Sequence, residues 1–177
     1  MSDQDVAALQ NVVLSAVDKA AACIDEHALR LNPHLWRKED MRSVYSDRDK
    51  YAQLPWSSDW PVVKAFAKQN CGLNADDVRL AYHGTKNTNR VKHILLEGYD
   101  PKYNTHGGSG FRSPDGAYFG VRPEVAQKYG DVLLFIVPKT ACESVRGDGA
   151  FLAPASSTLP VGTYQRPSKW GFGNLFL

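Results

Sequence analysis

Tyr82-His83-Gly84-Thr85 and Gly116-Ala117-Tyr118-Phe119 are the two segments of this chain whose residue types suit chemistry on a flat, cationic ligand. Tyr129 follows Tyr118 by eleven residues. His83 ends a run that reads as a strand, and a neutral imidazole offers one hydrogen-bond donor and one acceptor to a ligand hydroxyl. Gly84 has no Cβ, so a flat amide can approach its backbone N–H and C=O. Thr85 adds a hydroxyl at the mouth. Tyr118 and Tyr129 are spaced as a strand followed by a short helix, which can return both rings to one place. Two ring faces can hold a planar cation between them, worth about 1–2 kcal/mol when desolvated. Each feature alone has a bland reading: a strand-end histidine is commonly structural, and a tyrosine pair is commonly core.

The combination resembles the poly(ADP-ribose) polymerase-like ADP-ribosyltransferases, the diphtheria-toxin-like, His-Tyr-Glu branch. It spans roughly residues 78 to 140 and includes the intervening Leu95-Leu96-Glu97-Gly98-Tyr99-Asp100-Pro101. The resemblance implies NAD+ as co-substrate and transfer of ADP-ribose to an acceptor, a glycosyltransferase reaction. It implies that His83 contacts ribose and that the Gly84 backbone clamps the nicotinamide carboxamide. Tyr118 would be the second triad member, and Tyr129 would stack on nicotinamide. Gly120 replaces the usual Ala. Ala126 stands where the family often has a Ser that bonds the carboxamide, a bond alanine cannot make. The family's glutamate, which orients the ribose 2′-hydroxyl, has no counterpart, since no Asp or Glu follows Asp148. Leu159-Pro160-Val161-Gly162 matches a segment that precedes that glutamate. Gln165 is then the polar stand-in, with Glu124 or Asp148 as acids from elsewhere. Gln can bond a hydroxyl but brings no charge. The expectation is a mono-ADP-ribosyltransferase rather than a polymerase. The alternatives are an inactive relative that binds NAD or a protein partner, and a small interaction domain presenting a tryptophan-rich connector.

These residues need elements to carry them. Residues 4 to 30 read as an amphipathic helix through Val6, Leu9, Val13, Val17 and Ile24, with Ser2 or Asp3 as its cap. Trp36, Trp56 and Trp60 mark an irregular connector tied down by aromatics. A second helix should start at Ser58 or Asp59, with Pro61 in its first turn, and stop near Asn70-Cys71-Gly72. A strand over 78–83 leads to a helix opened by Asn87 or Thr88 and closed by Gly98. Residues 101–115 read as a loop. A short strand at 117–119 precedes a helix from Arg122-Pro123-Glu124 that Gly130 ends. The apolar run Val132–Val137 should be a central strand buried on both faces. After it, 159–164 and 170–173 read as short strands or turns. The resulting fold class is α+β: an ADP-ribosyltransferase-like, mixed pair of split β-sheets around an NAD cleft, with its topology taken from the resemblance. Residues 1–75 form an N-terminal helical region and 76–177 the transferase-like core.

Composition excludes several classes. Apolar residues make up 43% and charged residues 23% of 177, which is ordinary for a packed domain. A net charge of +2 gives no general attraction to nucleic acid, although a nucleic-acid acceptor stays open beside a protein one. Cys23, Cys71 and Cys142 form no CxxC, and the five histidines show no ligand spacing, so no metal is expected. His106, in the Gly-rich loop, reads as exposed or as lying at the acceptor side of the cleft. The acidic start lacks a cleavable signal, and no apolar run reaches the ~20 residues of a membrane span. A cytoplasmic or nuclear protein is expected, with export as an effector left open. Oligomeric state is not readable.

Overall fold

The computed structural model describes residues 2–25, 28–36, 56–57, 59–103, 115–145 and 149–165. Seven strands and four α-helices lie among these residues. In chain order they are α1 (Asp3–Ala21), β1 (Leu29–Leu31), α2 (Pro61–Gln69), β2 (Val78–Thr85), α3 (Thr88–Glu97), β3 (Gly116–Gly120), α4 (Pro123–Gln127), β4 (Asp131–Pro138), β5 (Glu143–Ser144), β6 (Ala150–Pro154) and β7 (Leu159–Tyr164).

The helices start and stop for local reasons. Ser2 caps α1 with a reciprocal capping box to Asp5. That helix ends at Ala21 rather than near residue 30 because the sheet claims the chain: Leu29–Leu31 pair with β7, and Ala28 accepts from the Gln165 N–H. Helix α2 has Pro61 in its first turn and Trp60 as its N-cap, without a side-chain capping bond. Asp59 therefore does not cap it, and Ser58 lies outside the described residues. Asn87 caps α3, and Gly98, at φ 87°, turns the chain away after it.

The strands form one sheet, in the order β1-β7-β4-β2-β3-β6-β5, and every pairing is antiparallel. This is an α+β architecture, but the ladder is continuous where a mixed pair of sheets is expected. Its middle joint is nonetheless slender. β2 and β4 share eight register pairs, whereas β2 and β3 meet at one, Tyr82↔Gly120. Residues 1–75 are not purely helical, because β1 comes from them and pairs with β7.

Strand β4 is the central strand, buried from Val132 to Pro138. Its alternate side chains divide between two clusters. Val132, Leu134 and Ile136 join α1, α2 and the connector tryptophans on one side. Leu133, Phe135 and Val137 join Phe119, Phe151 and Ile94 of α3 on the other. Trp36, Trp56 and Trp60 are all buried, so they are an anchor and not a presented surface. Trp36 and Trp56 pack edge-on, and the Trp60 indole N–H donates to Leu96 O at 2.7 Å.

Asn32 ties the N-terminal region to the sheet. It is fully buried; its Nδ2 donates to Leu95 O at 2.7 Å and Pro160 O at 3.2 Å, while its Oδ1 accepts from the His34 N–H. Asn32→Ala leaves two of these carbonyls without that donor, so we expect a loss of about 2–4 kcal/mol in urea unfolding. A change under about 0.5 kcal/mol would show that this tie is not stabilising.

Candidate functional site

The one-pair joint between β2 and β3 puts His83 at a parting of the sheet. Counting on from Tyr82↔Gly120, Tyr118 would lie opposite Gly84, but no second register pair forms. The His83 ring spans this interval instead: its Nδ1 lies 2.9 Å from the Tyr118 backbone oxygen. A carbonyl can only accept, so Nδ1 carries the proton and donates. The neutral ring then keeps Nε2 as an acceptor. The ring packs edge-on against Tyr99 at 4.9 Å, Phe119 at 5.9 Å and Phe135 at 6.3 Å. Burial among them pushes the His83 pKa below its ordinary value, and the Tyr118 hydrogen bond opposes this without reversing it.

Even-numbered residues of β2 and β3 face the opposite way, toward α4. A Cβ on Gly84 would stand 2.0 Å from Ala126 O and 2.8 Å from Tyr129 Cβ. The protein itself thus uses the close approach that glycine permits there. A Cβ on Gly120 would stand 2.8 Å from Val125 Cβ, which explains why the alanine of the resembling family would crowd α4 here. Two glycines therefore seat one short helix. The turn after it holds Tyr129 over Gly84, and Tyr129 is 59% exposed. Alternation puts half-buried Tyr118 on this same face. The structure thus gathers Gly84, Ala126 and Tyr129, with Tyr118 beside them and His83 at the parting.

Other candidates stand apart. Thr85 is buried, and its Oγ1 accepts from the Asn87 N–H at 3.4 Å, so its hydroxyl is engaged in the turn into α3. Gln165 is exposed and follows β7, which is separated from β2 by β4. About 10 Å of sheet lies between their backbones, on the side away from β3. Glu124 lines a cleft of about 550 Å³ with Lys19, Cys23, Tyr82 and Arg122. Tyr82 faces oppositely to His83, and burial and Glu124 push its hydroxyl pKa up. Asp148 and His106 lie outside the described residues.

Two residues escaped the sequence reading. Tyr99 sits in the segment quoted for its Gly-aromatic ending, but its contact with His83 follows only from the fold. Asp131 pairs with Thr85 and lies two residues along β4 from Leu133, the partner of His83. Alternation places it on the His83 face, and such diagonal neighbours lie about 7–8 Å apart. Its carboxylate accepts from the Thr88 hydroxyl at 3.2 Å. Only the register of β2 on β4 reveals this acid.

Among the described residues no cluster of three or more His, Cys, Asp or Glu can hold a metal, and no helix is long and apolar enough to cross a membrane. No protein-family model matches the chain, and no curated protein matches it.

Two outcomes test this geometry. Gly84→Ala should displace α4 and cost about 2–3 kcal/mol in thermal or urea unfolding; a neutral substitution would mean that α4 is not seated on β2. Because the folded-state pKa of His83 is depressed, its contribution is present above the ordinary value of 6.5 and lost as pH falls from there toward the native pKa. The acid limb of stability should therefore steepen by up to about 1.4 kcal/mol per pH unit relative to His83→Gln. Parallel acid limbs in the two proteins would contradict a buried, neutral His83.

Proposed function

We propose that this protein is an NAD-dependent mono-ADP-ribosyltransferase, with an ADP-ribosyltransferase-like fold, acting on a protein acceptor. The observation that carries the reading is the parting of β2 from β3, spanned by a neutral imidazole whose acceptor nitrogen is unused by the Tyr118 bond. In the reaction the nicotinamide–ribose C–N bond breaks, and nicotinamide leaves with the bonding pair. The acceptor nucleophile bonds to the ribose carbon and loses its proton. His83 Nε2 accepts from a ribose hydroxyl and orients the sugar. Tyr129 lies against the pyridinium while it is still cationic. Tyr118 bounds the opening from β3. Ala126 contributes packing but no bond to the carboxamide.

The transition state places positive charge on the ribose, which a nearby anion stabilises. Asp131, on the His83 face, is the carboxylate that register brings nearest to His83; Gln165 lies beyond β4, and Glu124 lies on the α4 face with the two tyrosines. A second reading has its own support. The causes that shift His83 are burial and one hydrogen bond, with no charged group among them. A site without a close anion fits an inactive domain that binds NAD or a partner.

Nicotinamide release and intact mass, measured with NAD on the purified protein, test the proposal. We expect release that falls by about 100-fold in His83→Ala. In Tyr129→Ala we expect a KM for NAD raised by about tenfold, equivalent to about 1.4 kcal/mol. NAD binding without release would favour the second reading. Neither binding nor release would overturn both.

A further inference from the structure

The three rings around His83 are not equivalent. Phe119 and Phe135 are fully buried and pack on each other at 5.1 Å, inside the cluster that also holds Phe151. Their positions are set by the core. Tyr99 is different. It is half-buried, lies outside any helix or strand, and returns to the sheet because Gly98 takes a φ of 87° just before it. Its ring makes the shortest of the three contacts to the imidazole, 4.9 Å at 77°. It also lines a groove of about 310 Å³ with Val62, Gly98, Ser156 and Thr158. It is therefore a wall with the imidazole on one side and open space on the other.

An imidazole held by one hydrogen bond has an alternative. Rotation about χ2 by half a turn replaces Nδ1 with Cδ2 opposite the Tyr118 carbonyl, and proton exchange then lets both tautomers populate. Phe119 on β3 and Phe135 on β4 meet the ring from the strands on either side of β2, and Tyr99 adds a third edge from outside the sheet. We propose that Tyr99 is a positioning residue that fixes the His83 ring plane, so that Nδ1–H stays on the Tyr118 carbonyl and the Nε2 lone pair stays available to a bound hydroxyl.

Several ionisable groups on the surrounding elements have partners of their own. Asp100 is bound to Lys102 by both carboxylate oxygens, His93 pairs with Glu97, and Arg79 lies over Phe151. Asp131 is held by Thr88. Arg90 on α3 and Tyr99 have partners as well; burial pushes the Tyr99 hydroxyl's pKa up to about 12, so it stays neutral with the imidazole.

The inference rests on the proposed role of His83 for its functional meaning, but its test reads the ring directly. Long-range proton–nitrogen correlation on the uniformly 15N-labelled full chain reports the protonation of each histidine nitrogen, and His83→Gln assigns the signals. In the wild type we expect one tautomer, with Nδ1 protonated and Nε2 bare at neutral pH. Tyr99→Phe keeps the ring and should keep that pattern. Tyr99→Leu, or the more pliable Tyr99→Met if leucine fails to fold, should average the two nitrogen shifts and move the His83 titration toward the ordinary histidine value. NAD turnover should fall about tenfold in the same variants and change less than twofold in Tyr99→Phe. A folded Leu or Met variant with an unchanged single tautomer would overturn the inference, as would a wild type that is already mixed. A tautomer that depends on Tyr99 in a protein that never consumes NAD would uphold the positioning role and remove the transferase reading.

Discussion

The register of β2 on β4 is the constraint on which the site depends. Eight consecutive pairs, from Val78↔Pro138 to Thr85↔Asp131, fix which β2 side chain faces which way. A slip by one residue would carry His83 to the α4 face and Gly84 to the aromatic cluster. Both moves are costly. The α4 face is closed at position 84 by the Ala126 carbonyl and Tyr129, so an imidazole has no room there. The opposite face would lose the ring edges that surround His83 and leave a void between Phe119, Phe135 and Tyr99. The buried, two-sided strand β4 makes the register strict, because both of its faces are committed to separate clusters.

Given that register, the parting beyond Tyr82↔Gly120 becomes a local matter of what each strand carries. On one face α4 presses on Gly84 and Gly120 together, so a single short helix touches both strands at the joint. On the other face the His83 ring replaces the backbone donor that a second register pair would supply to the Tyr118 carbonyl. A buried carbonyl without a donor costs about 1–3 kcal/mol. The imidazole thus stabilises the opening it stands in. The same bond that offsets this cost also selects the tautomer, so stability and the chemical state of the ring are not separable here.

Much of this was legible in the sequence where local chemistry decides the outcome. The Ser2 cap, Pro61, the Asn87 start of α3, the Gly98 stop and the apolar run of β4 all act through neighbours within a few residues. The misreadings are long-range. Helical spacing through Ile24 suggested a helix to residue 30, yet pairing with β7, over 130 residues away, draws Leu29–Leu31 into the sheet. Gln165, Glu124 and Asp148 are the stand-ins that sequence position offers, and Asp131 is not among them. Nothing in a Gly130-Asp131 pair discloses a carboxylate two rungs from His83; that follows only from the β2–β4 ladder. The expected strand or turn at 170–173 lies outside the described residues.

The position of Asp131 also bears on how fast such a site can be. If the proposed transferase held its sugar at the His83 ring, a carboxylate about 7 Å from the developing unit cation would contribute about 2 kcal/mol at an effective dielectric of ~20, and about 0.6 kcal/mol in bulk water. The larger figure corresponds to roughly 30-fold in rate, the smaller to about threefold. A carboxylate in direct contact with the sugar would give considerably more. Asp131 is exposed and bound to Thr88, which favours the lower part of this range in the absence of a ligand. Exclusion of water by a bound dinucleotide would raise it, because the same charge then acts through a poorer screen. On the proposed transferase reading, catalytic power would come chiefly from orientation by His83 and the tyrosines, with charge as a secondary contribution. Such a balance would suit the proposed single transfer to a positioned acceptor better than the repeated activation of a sugar hydroxyl that polymer growth requires.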